Sequence, residues 1–296
     1  MQINKNINIV DNKLSNGLQE VFSIIDEIEK SVDVEDTIDF SNTPVVSPTF
    51  VLPLMVFTKG HRKKIHFSNI SPYMKLLHFG DGLSPDEMRK TEFIAHMEGY
   101  AGKTFIPVIN FPATDCKADE KNSILSTVEN IITKQVKLAS NVSMGLKYMI
   151  SEIVDNITEH AHSGRGYIIA QSYPKKGCLD ICIADNGITL LGSYQSQDDN
   201  EIMSDLEAIQ AANRGISTKN LPNAENRGYG ITTSREMLIT GLGGQYIMIS
   251  GSAMYIRNKE IDKFAVLPNG IHWHGTIVAF RIPYINQDFW YSEYVK

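Results

Sequence analysis

The chain has little cysteine, no long apolar run and no excess of positive charge. Three cysteines, Cys116, Cys178 and Cys182, stand among 296 residues. They are too few and too irregularly spaced for a disulfide framework or a zinc site, and are expected as reduced, mostly buried small hydrophobes. No stretch reaches the roughly 18 apolar residues of a membrane span; the longest candidate, "FVLPLMVF", is far shorter and contains Pro53. The opening "MQINKNINIVDNK" has neither the basic start nor the apolar centre of a secretory signal, so a cytoplasmic protein is expected. With 28 Lys and Arg against 34 Asp and Glu, the net charge of −6 argues against a broad cationic surface for nucleic acid. The dense basic cluster "HRKK", His61 to Lys64, reads as a solvated turn or a docking patch.

What is present is a globular composition, 42% hydrophobic and 21% charged, in a chain long enough for two domains. Residues 14–30 carry Leu18, Phe22, Ile25 and Ile28 at helical spacing. An acidic, irregular stretch "SVDVEDTIDFSNTP" follows, then an apolar segment kinked at Pro53, a strand "KIHF" and a helix "SPYMKLLHF". After the turn "GDGLSPDE" come a helix from Glu87 to about Gly99 and a strand "TFIPVIN". This order suggests a small α/β unit over residues 1–115. The aperiodic "FPATDCKADEKNS" marks the boundary to a second domain, 116–296.

The second domain starts with a helix over about 122–140, and after "ASNVS" another helix places Leu146, Met149, Ile150, Ile153 and Ile157 on one face. Two strands, "GYIIAQSY" and "CLDICIAD", read as a hairpin joined by "PKKG". A helix over about 201–213, a Gly- and Asn-rich loop and a helix from Tyr229 to Thr240 follow. Three strands, "GQYIMISG", "AMYIR" and "GTIVAFRIP", close the chain, with Tyr246, Met248 and Ile249 expected in the core.

Several polar groups stand out. Glu152 and Asn156 lie one turn apart in "SEIVDNITEH", so they can serve one ligand together or be two solvated side chains. "DNGI" places Asp185 at the end of a buried strand, with Gly187 allowing close backbone approach, although alone it is an ordinary turn signal. "NRGYGI" sets Gly228 and Gly230 just before a helix, where free N–H groups and the positive helix end face an anion, or where the helix entry is merely flexible. The histidines of "HAH" and "HWH" lack a thiolate or carboxylate set nearby in sequence, so zinc is not expected.

Taken in order, "EIVDN", "DNGI", "NRGYGI" and "GTIVAFRIP" resemble the GHKL family, which groups type II topoisomerase ATPases, the heat-shock chaperone of about ninety kilodaltons, sensor histidine kinases and mismatch-repair ATPases. The resemblance implies a two-layer α/β sandwich, the Bergerat ATP-binding fold, preceded by a smaller α/β domain, with ATP and magnesium as cofactors. It implies Glu152 as general base, Asn156 as a magnesium ligand and Asp185 as acceptor for the adenine amino group, with Gly187 beside the base. Gly228, Tyr229, Gly230 and Ile231 would line the phosphates, and Arg227 would neutralise them or remain a solvated loop residue. Ser217, Thr218 and Lys219 fall where a lid is expected, similar to that of mismatch-repair ATPases, with Lys219 reaching the terminal phosphate. Thr276 is expected near phosphate or adenine. The usual second glycine of DxGxG is replaced by Thr189, which can keep the close contact only with a negative φ.

Within the family, residues 122–140 carry no phosphoacceptor histidine, and the chain ends soon after "GTIVAFRIP", so neither a histidine kinase nor a topoisomerase arrangement is expected. "SExVxNxxxH", ending in His160, resembles the corresponding helix of anti-sigma-factor serine kinases. The resemblance implies hydrolysis of ATP or transfer of its γ-phosphate to a partner protein, for which a STAS-like protein is a candidate. The alternatives are a non-hydrolysing ATP-dependent switch and a module that no longer binds nucleotide. Residues 1–115 look weakly STAS-like and serve otherwise as a sensing or partner-docking domain. An ATP-dependent homodimer is compatible with the family, whereas membrane and nucleic-acid partners are not expected.

Overall fold

The structure, a computed structural model, describes residues 2–4, 13–43, 45–113, 118–136, 138–160, 164–197, 201–216, 229–284 and 293–294. The chain begins with β1 (Gln2–Asn4), α1 (Asn16–Lys30), β2 (Glu35–Asp39), α2 (Pro48–Gly60) and β3 (Lys64–Ser68). The three strands form a parallel sheet in the order β1-β2-β3, with the two helices as crossovers. A short helix α3 (Pro72–Leu76) and α4 (Lys90–Glu98) lead to β4 (Phe105–Pro112). Then follow α5 (Ala118–Gln135), α6 (Ser140–His160), β5 (Arg165–Tyr173), β6 (Cys178–Asp185), α7 (Leu190–Gln195) and α8 (Asp205–Asn213). Next, α9 (Tyr229–Glu236) continues as a π-helical turn, Met237–Gly241, and the chain closes with β7 (Gln245–Gly251), β8 (Ala253–Arg257), β9 (Asp262–Val266) and β10 (Trp273–Pro283). The protein is thus mixed α/β, as expected, around an antiparallel seven-stranded sheet ordered β4-β5-β6-β10-β7-β8-β9. No helix among the described residues is long and apolar enough to cross a membrane.

The central strands are apolar at successive positions because the sheet is covered on both faces. Along β6, Leu179, Ile181 and Ile183 enter one core with α5, α6 and the π-helical turn. The alternate residues Cys182 and Ala184 enter a second core with α1 and α2. The same alternation divides Ile168 and Ala170 from Tyr167 and Ile169 on β5, and Val278, Phe280 and Ile282 from Ile277 and Ala279 on β10. Successive strand side chains point to opposite faces, so each strand feeds two cores.

This arrangement explains α2. The apolar stretch around Pro53 is a helix, and its residues Pro48 to Val56 are all buried. A helix that is apolar all round lies inside the protein rather than on it: α2 packs on α1 and crosses β5, β6 and β10. Two cysteines of the sheet, Cys178 and Cys182, are buried free thiols, as expected.

The boundary drawn between 115 and 116 is corrected by the pairing. Strand "TFIPVIN", assigned to the first unit, is β4 and pairs along β5 from Phe105↔Gln171 to Pro112↔Arg165. Pro107 has no N–H to donate, and the register shifts between Ile106 and Ile109. The outer edge of β4 is tied instead to the preceding loop, with Val108 N–H donating to the Leu77 carbonyl at 2.9 Å and Leu83 N–H to that of Val108 at 2.7 Å. The α1–α2 layer therefore covers one face of a shared sheet, while Leu83, Phe93 and Met97 of the same stretch enter the core of α5 and α6 on the other.

Other differences have local causes. The stretch read as irregular and acidic contains β2, whose Asp36 is buried against the Ser31 hydroxyl at 2.9 Å and Lys63 Nζ at 3.4 Å. Lys63 also donates to the Ile28 and Ser31 carbonyls, both at 2.6 Å, closing the C-terminal end of α1. The "HRKK" cluster is thereby partly consumed in holding α1: His61 faces Glu29 at 3.1 Å and Lys64 faces Glu35 at 3.7 Å. Strand β9 and helix α7 were not expected. The helix placed over 122–140 stops at Gln135, and α8 starts at Asp205 behind a capping box of Ser204 and Glu207.

Two cores that share the same central strands predict one unfolding transition. Leu52→Ala in α2 should lower stability by about 2–5 kcal/mol, the range for a buried leucine truncation, while Val32→Ala, at a residue 97% exposed, should change it by less than about 0.5 kcal/mol. Urea unfolding followed by far-UV circular dichroism and tyrosine fluorescence should give coincident curves; a first transition confined to the α1–α2 layer would contradict the coupling through shared strands.

Candidate functional site

Strand β6 carries two aspartates buried to the same degree and treated in opposite ways. Asp180 is 1% exposed, and directly across the sheet Arg281 donates Nε at 2.6 Å and Nη2 at 2.8 Å to its two oxygens. Such a bidentate pair compensates the desolvation of both charges. Asp185, at the strand's other end, is 2% exposed and has no cationic partner among the described residues. Its oxygens accept instead from the backbone, Oδ1 from Gly187 N–H at 2.8 Å and Oδ2 from Thr276 N–H at 3.0 Å. A carboxylate has about four acceptor sites, so two remain beyond these donors.

The surrounding backbone is shaped to this group. Gly275 has φ +81°, and a Cβ there would lie 2.4 Å from the Asp185 carbonyl oxygen and 2.5 Å from its Oδ1. Only glycine suits both the left-handed backbone and the close approach. Ser250 on β7 braces the other side: its hydroxyl donates to the Gly275 carbonyl at 2.8 Å and accepts from Leu190 N–H at 2.9 Å. Thr189, which replaces the second glycine, has φ −72° and ψ 167° and caps α7 by accepting from Gly192 N–H at 3.1 Å. Its φ is negative, the condition under which the substitution is tolerated.

The opening of β5 closes on the same turn. Asn186 Oδ1 accepts from Arg165 N–H at 2.9 Å, immediately after the end of α6 in the chain order α6–loop–β5. Gly166 lies opposite Asp185 in the β5–β6 ladder. The C-terminal end of α6 is therefore at the end of the sheet that carries Asp185. Glu152 and Asn156 lie on its last turns, both half-buried, beside the stripe Met149, Ile150, Ile153 and Ile157 that enters the core. Asp155, between them, is turned to α5 and held by Lys121 Nζ at 2.5 Å.

Helix α9 packs on α6 and continues through its π-helical turn to β7 at Gln245, which pairs with Arg281 at the far end of the sheet. Its N-terminus, with Tyr229 and Gly230, is thus directed toward the end that carries Asp185. Arg235 of α9 donates Nη1 to the Asn213 carbonyl at 2.9 Å and to Asn213 Oδ1 at 2.8 Å, tying α9 to the last turn of α8. Ile231 packs against the core. The expected phosphate and lid residues Ser217, Thr218, Lys219, Arg227 and Gly228 lie outside the described residues, as do the side chains of Tyr229 and His160.

Thr276 lies directly against Asp185. Its backbone N–H holds Asp185, and its hydroxyl lies 3.4 Å from Ser250 Oγ. Sequence reasoning did not single out Ser250, Asn186 or Gly275. A serine inside an apolar strand and a glycine opening a strand are signals, but neither says which partner it meets. Tyr246, Met248 and Ile249 are buried, as expected.

Burial pushes the Asp185 carboxyl up to about 7, against the lowering effect of the Gly187 and Thr276 N–H groups. The folded chain therefore holds this proton more tightly than the unfolded chain. The stabilisation is present below about pH 4 and is lost as pH rises through about 7, at roughly 1.4 kcal/mol per pH unit within that window. Urea unfolding from pH 5 to pH 8 should show this decline in the wild type and a flatter dependence in Asp185→Asn. An equally steep decline in the variant would assign the titration to another group.

Comparison with known proteins returned no matching family model, no matching curated protein and no matching solved structure.

Proposed function

We propose that the protein binds Mg-ATP at the sheet end marked by Asp185, on a Bergerat-type ATP-binding fold of the GHKL kind, and acts as an ATP-hydrolysing or phosphoryl-transferring regulator. The observation that carries this reading is a buried carboxylate held by two backbone N–H groups and, among the described residues, left without a cation. Perturbed, uncompensated groups of this kind concentrate at functional sites. A purely structural aspartate has its solution on the same strand, in the Asp180–Arg281 pair.

The donor set fits the proposed ligand. Asp185 retains acceptor capacity, which suits an exocyclic amino group such as adenine's; guanine would set a carbonyl against the carboxylate and leave two acceptors opposed. Asn156 offers one neutral oxygen, which suits magnesium, an ion that keeps several waters and takes one or two protein oxygens beside phosphate. Glu152, one turn earlier on α6, is the general base that takes the proton from the attacking water or protein hydroxyl. The N-terminus of α9 offers backbone N–H groups to phosphate oxygens. ATP supplies the transferable phosphoryl group, and magnesium neutralises its charge. The layer of α1, α2 and the three-stranded sheet, within the unit 1–115, is the surface on which a partner such as a STAS-like protein would act.

Calorimetry with ATP and magnesium should show binding, weaker binding of GTP, and loss of that preference in Asp185→Asn. Asn156→Ala should lose the magnesium-dependent part of the affinity. Glu152→Ala should bind ATP and turn it over at least a hundredfold more slowly, the range for a lost general base. Full turnover in the Glu152 variant would remove that assignment. Radiolabelled ATP giving neither free phosphate nor labelled protein, with binding retained, would favour a non-hydrolysing switch, and a flat titration would overturn the nucleotide reading.

The pH dependence gives a separate check. An amino donor binds the ionised carboxylate, so affinity should rise roughly tenfold between pH 6 and pH 8 as Asp185 loses its proton. Calorimetry in buffers of different ionisation enthalpy should detect proton release on binding near pH 6. An affinity that is flat or falls over this range would separate Asp185 from the base.

A further inference from the structure

Arg165 stands between the 81–87 segment and the Asp185 turn, and its backbone N–H and all three guanidinium nitrogens donate hydrogen bonds. Its guanidinium donates Nη1 at 2.8 Å and Nη2 at 2.7 Å to the two oxygens of Asp86, in the turn Pro85–Glu87 that follows the loop docked on β4. Nε donates to Asn110 Oδ1, and Nη2 to the Asn110 carbonyl at 3.0 Å. Asn110 in turn donates to the Asp81 carbonyl at 3.1 Å and to Ser84 Oγ at 3.3 Å. The 81–87 segment, already tied to β4 through the Leu83 backbone, is thus held by the side chains of one arginine and one asparagine as well. The backbone N–H of the same arginine is the donor that fixes Asn186, the residue between Asp185 and Gly187.

The residues on either side of Arg165 add no side-chain anchor of their own to this stretch. Gly164 has φ +79°, and a Cβ there would lie 2.1 Å from Asn186 Oδ1; one on Gly166 would lie 2.3 Å from the Phe111 ring. Neither flanking position can carry a side chain, so the guanidinium is the side-chain anchor of a stretch whose backbone also pairs with β4 and β6. Arg suits this work because its planar fork binds a carboxylate bidentately and a carbonyl at once, which a lysine cannot do.

We propose that Arg165 is a positioning residue for the Asp185 turn, and that Asp86 is the point through which the 81–87 segment acts on it. A displacement of that segment moves the guanidinium, withdraws the N–H from Asn186 and loosens the turn on which Asp185 is mounted. The consequence for nucleotide affinity rests on the function proposed above, but the mechanical link does not. Coupling of this kind requires an element that both sites bias, and here it is the Gly164–Arg165–Gly166 segment at the mouth of β5.

Amide hydrogen exchange on the full chain tests the link without nucleotide. In Asp86→Asn, which keeps the shape of the side chain but loses its charge, the amides of Arg165, Gly187 and Thr276 should exchange roughly tenfold faster, while those of the β7–β8 hairpin stay as in the wild type. Arg165→Lys should give the same local pattern. Unchanged exchange at these three amides, or uniform acceleration across the sheet, overturns the proposal. ATP affinity is the second readout: it should fall roughly tenfold in both variants. If the wild type binds ATP and the variants bind it equally, the coupling is refuted even though the nucleotide reading stands. If the wild type does not bind ATP, the nucleotide reading fails and the exchange pattern alone decides the link.

Discussion

A sheet that is apolar on both faces must be covered twice, and the rest of this structure follows from that requirement. Strands β5, β6 and β10 each feed alternate residues into two cores. One cover is built from α5, α6 and the α9 region, the other from α1 and α2 with the parallel three-stranded sheet beyond. Without its second cover the sheet would expose a contiguous face that includes Tyr167, Ile169, Cys182, Ala184, Ile277 and Ala279, well beyond what a monomeric surface normally carries. This second cover is therefore as necessary to the fold as the helices opposite.

Double covering also decides where polar chemistry can sit. Within a strand buried on both faces a charged side chain needs a partner in the ladder, and Asp180 is tolerated because Arg281 lies across from it. At the ends of the strands the covers stop and backbone N–H groups become available. Asp185 uses two of them. Backbone donors stabilise a carboxylate by orientation and carry no net charge, so they leave a burial penalty in place, in keeping with an acid shifted up to about 7. The same partial compensation leaves acceptor sites that a donor arriving from outside can fill. The electrostatic asymmetry between the two aspartates is thus a property of strand position before it is a property of any ligand.

Much of the second half was legible in the sequence because it depends on local periodicity. The helix bearing Glu152 and Asn156, the hairpin of β5 and β6, and the closing strands were recognisable from spacing alone, and the mixed α/β class follows from their order. The first half was harder to read because its signals are tertiary. Nothing within "PTFVLPLMVF" distinguishes a buried helix from a buried strand, since periodicity vanishes when every face is covered. Strand "TFIPVIN" carries its own correct label, but its partner lies some sixty residues downstream, across the drawn boundary. Asp36 made a strand look like an acidic loop because the lysine that neutralises it is 27 positions away. In the candidate site, Asp185 was identifiable as a strand-end carboxylate, whereas Ser250 and Gly275 were not, because their roles arise from which strands become neighbours.

The replacement of the second turn glycine by Thr189 illustrates this last point. A glycine is needed where a side chain would collide with the aspartate or where φ must be positive, and neither condition holds at Thr189, with φ −72°. Both conditions hold at Gly275, on the neighbouring strand, where a Cβ would strike Asp185 from across the ladder. The hydroxyl of Ser250 then joins the two sides, accepting from the amide just after Thr189 and donating to the carbonyl of Gly275. Space around the carboxylate is thus cleared from β10 rather than from the turn that bears it. With that duty removed, residue 189 is free to cap α7 through its hydroxyl, which glycine could not do. The exchange is consistent in physical terms: the turn gains a fixed helix start, and the requirement for a missing side chain moves to the opening of β10.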